Sequence, residues 1–111
     1  MTVAELKELL GAKVLNEGVD LGRQVERAYV CDLLSWVMGR AQEGDAWLTI
    51  MSNQNVAAVA LMAGTACVIL TEGVSPDPAL LQRAREKGVN LLGSGLSTFD
   101  TAAVLSRLLK A

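Results

Sequence analysis

Histidine is absent from this 111-residue sequence, and cysteine occurs twice, at Cys31 and Cys67. Without histidine, the chain has no Ser-His-Asp triad, no Cys-His pair and no histidine-ligated metal. The two cysteines lie far apart, so no Cys-x-x-Cys pair can bind zinc or exchange thiols. We expect both to be small core residues in a reducing cytosol, which places the protein in the cytoplasm. We therefore predict no enzyme, no cofactor and no metal site.

A strong excess of one charge and a long apolar run are also lacking. Ten Lys+Arg stand against twelve Asp+Glu, a net charge of −2, which gives no electrostatic reason to bind nucleic acid or an anionic membrane. The uncharged stretch 46–71 is interrupted at 52–55 and again at 64–65. The remaining apolar segment is shorter than the roughly 20 residues of a spanning helix, so we predict no membrane span. No basic segment precedes an apolar one at the start, so no signal peptide is expected.

The composition is that of a globular domain. Hydrophobic residues make up 51% of the chain and charged residues 20%. The length lies near the commonest domain size, and a chain of this size buries about two-thirds of its unfolded surface without a disulfide or a metal. We expect one domain over residues 1–111.

Helix-start and helix-stop residues divide the chain. Thr2 and Glu5 have capping-box spacing and Gly11 supplies a stop, so a helix is predicted over 3–10. Asp77 before Pro78 predicts a helix that ends at Gly88. The other predicted starts are Asp32 for a short helix, Asn53 or Asn55 for a helix over 56–62, and Ser97 for a helix to about Leu109.

Apolar runs between these helices predict strands. Cys67–Leu70 is a continuous apolar run, typical of a parallel strand covered on both faces. Strand and helix alternate from Ala46 onward, which indicates a parallel sheet with right-handed crossovers. The fold class is therefore α/β, a single domain with a mainly parallel sheet of about five strands flanked by helices on both faces. The other strands are expected over 12–15, 25–30, 47–51 (a central strand) and 89–92.

Polar loops follow the predicted strands. In open α/β sheets, ligands bind beyond the carboxyl ends of the strands, an edge that we call the rim. The rim loops contain no Arg or Lys, so a phosphate would depend on backbone amides, such as those at Asn53 and Ser97. Turns and caps of ordinary βα units have the same composition, and spacing alone favours that explanation. The candidate ligand-binding residues are Asp32, Asn53, Gln54, Thr71, Gly73 and Ser94.

Motifs for nucleotide chemistry are missing from these loops. No G-x-x-x-x-G-K-[ST] loop is present, and Gly93-Ser94-Gly95 lacks the third glycine of a dinucleotide fingerprint. Asp32 and Glu72 are the one candidate acid pair, although a cap and a solvated turn explain them more simply.

Three segments resemble the DRTGG domain family: Val30–Ser35, Glu43–Ile50, and Cys67–Gly73 followed by Pro76. The resemblance covers nearly the whole chain. It implies a regulatory domain of the kind found in bacterial phosphotransacetylases, in CBS-domain pyrophosphatases and as a stand-alone protein. A similar α/β fold forms the N-terminal domain of HPr kinase/phosphorylase.

The chain departs from this family at its most polar positions. The Asp-Arg of the family motif falls at Asn53-Gln54, which removes the arginine that would contact an anion. The Thr-Gly-Gly falls at Thr71-Glu72-Gly73, with a glutamate in the middle.

The resemblance and the rim together imply a non-catalytic regulatory module. We expect it to bind a small polar or nucleotide-like ligand at the rim and to act as a homodimer. The alternative is a dimerisation or docking adaptor that binds a partner protein and no small molecule, with apolar surface from 36–38 and 56–62.

Overall fold

Strands and helices alternate around one sheet in the computed structural model, which describes residues 1–16 and 19–109. The strands are β1 (Lys13–Val14), β2 (Arg27–Val30), β3 (Asp45–Thr49), β4 (Cys67–Leu70) and β5 (Leu91–Gly93). The helices are α1 (Val3–Leu10), α2 (Leu34–Arg40), α3 (Asn55–Ala63), α4 (Pro78–Lys87) and α5 (Thr98–Leu109).

The sheet order is β1-β5-β4-β3-β2. Strands β2, β3, β4 and β5 run parallel, and β1 runs antiparallel to β5. The predicted α/β fold with a mainly parallel sheet of about five strands is therefore confirmed. The strand near Trp47, predicted as a central strand, is the internal strand β3, which pairs with β2 on one side and with β4, the middle strand of the five, on the other.

Two apolar layers cover the two faces of the sheet. On one face, α1 and α5 bury residues such as Leu6 and Leu105. On the other, α2, α3 and α4 bury residues such as Val56 and Leu80 around Trp47. The predicted helices on both faces are thus confirmed, and every side chain of β3 and β4 is buried.

The local signals at α1 and α4 act as predicted. The Glu5 amide donates to Thr2 Oγ1 at 3.1 Å and the Thr2 amide donates to Glu5 Oε1 at 2.9 Å, a complete capping box. The Thr2 hydroxyl also donates to Glu5 Oε1 at 3.1 Å, and the hydrogen bonds from the Thr2 amide and then from this hydroxyl lower the pKa of the Glu5 carboxyl. Gly11 ends α1 with a left-handed φ of 72°. Pro78 begins α4 directly after Asp77, which occupies the predicted N-cap position but makes no side-chain cap hydrogen bond; its Oδ1 accepts from Ser52 Oγ at 3.3 Å instead.

Two predicted caps are wrong. The N-cap residues of α2 and α3 are Leu33 and Gln54, and neither makes a side-chain cap. Asp32 binds the end of β3 instead, and Asn53 Oδ1 accepts from the Asn55 amide at 2.9 Å. The Asp32 side chain binds Thr49 of β3, and the Asn53 side chain forms a local turn with the Asn55 amide, so neither occupies the predicted N-cap position.

The two cysteines are free and differ in their surroundings. Cys67 is fully buried in β4, as expected of a core residue, whereas Cys31 is half-buried after β2. Burial raises the pKa of the Cys67 thiol to about 12, because the thiolate would lose its hydration. Across the described residues, no helix has the length and apolar character needed to cross a bilayer.

Candidate functional site

The carboxyl ends of the four parallel strands form the rim. Asp32 follows β2, Asn53 and Gln54 follow β3, Thr71 and Gly73 follow β4, and Ser94 follows β5. All six predicted site residues therefore lie at the same edge of the sheet, in the order of the strands that carry them.

Asp32 holds the ends of two strands together. Its Oδ1 accepts from Thr49 Oγ1 at 2.7 Å and from the Ile50 amide at 3.0 Å. Thr49 is 1% exposed, so its hydroxyl depends on this partner. The Thr49 carbonyl in turn accepts from the Thr71 amide at 3.1 Å, which extends the bonding to the end of β4.

The hydroxyls of Thr71 and Ser94 connect the rim to α5. Thr71 Oγ1 lies 2.6 Å from Thr98 Oγ1, and Ser94 Oγ lies 3.0 Å from Thr101 Oγ1. Thr71 is fully buried and Ser94 is 3% exposed. These two side chains therefore fix the first turns of α5 against the sheet.

Glu72 occupies the tight turn after β4. The Thr71 carbonyl accepts from the Val74 amide at 3.1 Å, and φ is 62° at Glu72 and 67° at Gly73. Positive φ at both central residues defines a type I′ turn, in which a side chain at the first central position is strained. The Glu72 carboxylate reaches the Thr98 amide at 2.7 Å. The N-terminus of α5 thus carries a negative charge supplied by the chain itself.

Asn53 and Gln54 stand apart from this network. Both are exposed at the start of α3. In the parts of the chain that the structure describes, no hydrogen bond connects either of them to Thr71 or Ser94. The structure thus brings Thr71, Gly73 and Ser94 together and leaves the two amides on the neighbouring loop.

A cleft of about 260 Å³ opens beside β5 at the rim. Predicted residues Gly73 and Ser94 line it, and so does Lys13. Because β1 runs antiparallel, Lys13 pairs with Gly93, the last residue of β5. The sequence-based expectation that the rim lacks Lys and Arg is therefore wrong. The full lining is Gly11, Lys13, Leu15, Gly73, Val74, Ser75, Pro76, Gly93, Ser94 and Gly95.

Glycine at position 93 permits this arrangement. A Cβ there would lie 3.2 Å from the side chain of Leu15, closer than nine in ten real Cβ contacts. The small residue lets β1 approach β5 closely enough to carry Lys13 to the cleft. Sequence reasoning missed Lys13 because neither the direction of β1 nor its neighbour is encoded locally.

A second depression, of about 360 Å³, lies at the amino ends of the strands. It includes Arg23, whose guanidinium donates to the carbonyls of Thr65 at 2.9 Å and Gly64 at 3.1 Å. Glu26 and Glu43 also line it. The Arg23 guanidinium is already bound to backbone carbonyls, and the two carboxylates would repel an anion. This depression therefore suits an anion less well than the cleft beside β5.

The cleft combines one cationic residue with loops whose amides are largely bonded within the chain. Lys13 lines it and carries an ammonium group, whereas the Gly73 amide donates to the Ser94 carbonyl and the Ser94 amide to the Leu70 carbonyl. The two carboxylates of the candidate acid pair bind different parts of the fold, because Asp32 accepts from the end of β3 and Glu72 accepts from the first amide of α5. The arrangement supports recognition of a polar or negatively charged molecule.

Comparisons with known proteins agree with this architecture. A search of curated protein sequences gives no match. Among solved structures, the chain is similar to the CBS and DRTGG domains of the regulatory region of Clostridium perfringens pyrophosphatase, determined with the activator diadenosine tetraphosphate. The TM-score is 0.70 at 12% identity, over 94% of this chain and 45% of that chain, so this likeness shows the fold. The family model of the DRTGG domain matches residues 5–108, and the chain therefore belongs to the DRTGG domain family.

Proposed function

We propose that this protein is a non-catalytic regulatory module that binds a small polar or nucleotide-like ligand at the rim and acts as a cytoplasmic homodimer. Its family membership supports a regulatory role. The structural neighbour is a regulatory region that was determined with a nucleotide activator, which supports a ligand of that class. The two free cysteines agree with a reducing compartment.

The observation that carries this proposal is the cleft beside β5, with Lys13 at its edge. The Asp-Arg pair of the family motif is replaced here by Asn53-Gln54, and among the described residues that line the cleft Lys13 is the cationic one that a negatively charged ligand would meet. An ammonium group acts as a point charge for phosphate or carboxylate and needs no bidentate geometry. The ligand is therefore expected to place an anionic group against Lys13.

The six predicted residues divide into two roles in this proposal. Gly73 leaves room in the cleft wall, and the exposed groups of Asp32, Asn53 and Gln54 extend the binding surface along the rim. Thr71 and Ser94 are buried and bonded to α5, so they hold the loops in position around the ligand.

Thermal unfolding against a panel of mononucleotides, dinucleoside polyphosphates, acyl phosphates and carboxylate metabolites tests the proposal. A ligand at a hundred times its dissociation constant adds about 2.7 kcal/mol to the free energy of unfolding. For a domain of this size the melting temperature rises by roughly 10 °C. A saturable shift with at least one anionic compound is the expected result. A flat panel at millimolar concentrations would contradict ligand sensing.

An adaptor without a small ligand is the second candidate, favoured by exposed apolar side chains on α2 and α3. Trp36 is 50% exposed, Leu61 50% and Met62 69%, whereas Val37 and Val56 of the same helices are fully buried. Arg40 stacks over the Trp36 ring at 3.7 Å, so part of this surface is covered by a cation. A flat ligand panel together with a melting temperature that rises with protein concentration would favour the adaptor.

A further inference from the structure

Strand β2 is an open edge of the sheet. Within residues 1–16 and 19–109 it pairs with β3 alone, and three of its four residues are exposed. The Glu26 amide donates to the Gly44 carbonyl at 3.0 Å, on the β3 side. Because backbone groups alternate along a strand, the amides and carbonyls of Arg27 and Tyr29 point away from β3. This edge thus presents two donors and two acceptors to another strand.

An apolar groove of about 380 Å³ runs between this edge and α5. Ala28 and Val30 line it from β2, and Val30 is 47% exposed. On the helix side, Ala102 and Ser106 lie one turn apart and Leu109 follows. The small side chains leave space for a second backbone or helix to approach closely.

We propose that β2 pairs antiparallel with β2 of a second copy, about a two-fold axis at Ala28, so that two sheets join into one of ten strands. This names the interface of the homodimer in the proposed function and rests on that dimer. The Arg27 amide and carbonyl would bond Tyr29 of the second copy, and Tyr29 would bond Arg27 of the second copy. The outward groups of the two strands are thereby all paired.

The symmetry brings the two grooves together. An axis at Ala28 perpendicular to the sheet keeps both α5 helices on the same face. Ala102 and Ser106 of the two copies then face each other across the axis, and Val30 and Leu109 are covered. An edge strand alone is a small contact, so the helix surface supplies most of the apolar area.

The charged residues of the edge permit this register. Arg27 is held back from the edge, because its guanidinium donates to Asp45 Oδ1 at 3.2 Å and to the Glu43 carbonyl at 3.4 Å. Glu26 would lie opposite Val30 of the second copy and far from its own symmetry mate. The Met1 carbonyl accepts from the Val25 amide at 2.7 Å, which limits the new pairing to residues 27–29. A second copy of β2 would pair all the outward amides and carbonyls of Arg27 and Tyr29, because the two-fold axis exchanges these two residues.

A charged residue introduced at Ala28, on the two-fold axis, tests the interface. The substitutions Ala28→Lys and Ala28→Glu each place two like charges directly opposite one another in the dimer. By light scattering at micromolar concentration, we expect two chains for the parent protein and one chain of 11.7 kDa for each variant. An equimolar mixture of the two variants should recover the dimer. Ala58→Lys, at an exposed position of α3, is the matched control and should remain dimeric.

Other outcomes overturn the proposal. A monomeric parent protein, or a dimer that persists in both Ala28 variants and dissociates with Trp36→Glu, would contradict pairing through β2. If the charged variants fail to fold, Ala28→Cys decides, because opposed residues in a non-hydrogen-bonded pair lie about 4.5 Å apart, within disulfide range. Absence of an oxidised Ala28→Cys dimer would then contradict the interface. The ligand panel is read separately, so loss of dimerisation with a retained melting shift leaves ligand sensing intact.

Discussion

The Glu72 carboxylate accepts a hydrogen bond from the Thr98 amide at 2.7 Å while the Glu72 backbone holds a φ of 62°. Glycine stands at this position in the motif that names the family, and glycine adopts positive φ without steric cost. This chain therefore accepts a strained turn and gains a charged partner for the N-terminus of α5.

Substitutions at Glu72 separate these two effects. Glu72→Ala retains the strain and loses the carboxylate, so we expect the free energy of unfolding to fall by about 1 kcal/mol, the usual cost of a lost cap. Glu72→Gly loses the carboxylate but relieves the strain, which is of similar size, and should lie within about 0.5 kcal/mol of the parent. Urea denaturation measures both, with Glu86→Ala on α4 as control. A larger loss for glycine than for alanine would contradict the strain.

Lys13 is expected to determine the affinity of the cleft for anionic ligands. Lys13→Ala should weaken binding of a compound identified in the thermal panel about tenfold, or ~1.4 kcal/mol. Isothermal titration gives the dissociation constants. Lys87→Ala removes the same charge from the exposed end of α4 and serves as the control. Equal affinity of the Lys13 variant and the parent would place the ligand elsewhere.

Asp32 is expected to stabilise the end of β3. Asp32→Ala leaves the buried Thr49 hydroxyl without this acceptor, so the free energy of unfolding should fall by about 1–3 kcal/mol. Thr49→Val in the Asp32→Ala protein should cost less than Thr49→Val in the parent, because the hydroxyl has already lost its acceptor and retains the Met51 amide, which donates to it at 3.2 Å. Urea denaturation of the four proteins gives the coupling energy. Additive losses would show that the hydrogen bond contributes little.

The two thiols should differ in reactivity. The pKa of Cys67 is raised to about 12 by burial, so at pH 8 its thiol is protonated as well as enclosed. Cys31 is half-buried after β2. Ellman's reagent at pH 8 should therefore modify one thiol in the native protein and two in denaturant, and Cys31→Ser should abolish the native reaction. Native modification in the Cys31→Ser variant would show that β4 opens readily.

Local signals predicted much of the fold. The capping box at Thr2, the stop at Gly11 and the Asp77-Pro78 start act through neighbours within four residues, so the sequence alone specifies them. The apolar run Cys67–Leu70 likewise indicated a strand buried on both faces. The set of rim residues followed from the alternation of strands and helices, because parallel strands end at one edge.

Long-range pairing decided the rest. The caps predicted at Asp32 and Asn53 were wrong. The Asp32 carboxylate accepts from Thr49 instead, seventeen residues away along the chain. The sequence did not reveal that β1 lies antiparallel against β5, because a two-residue strand carries too little pattern to fix its direction. That pairing carries Lys13 to the rim. Secondary structure was thus specified by local backbone chemistry, whereas the charge of the candidate site was decided by which strands meet.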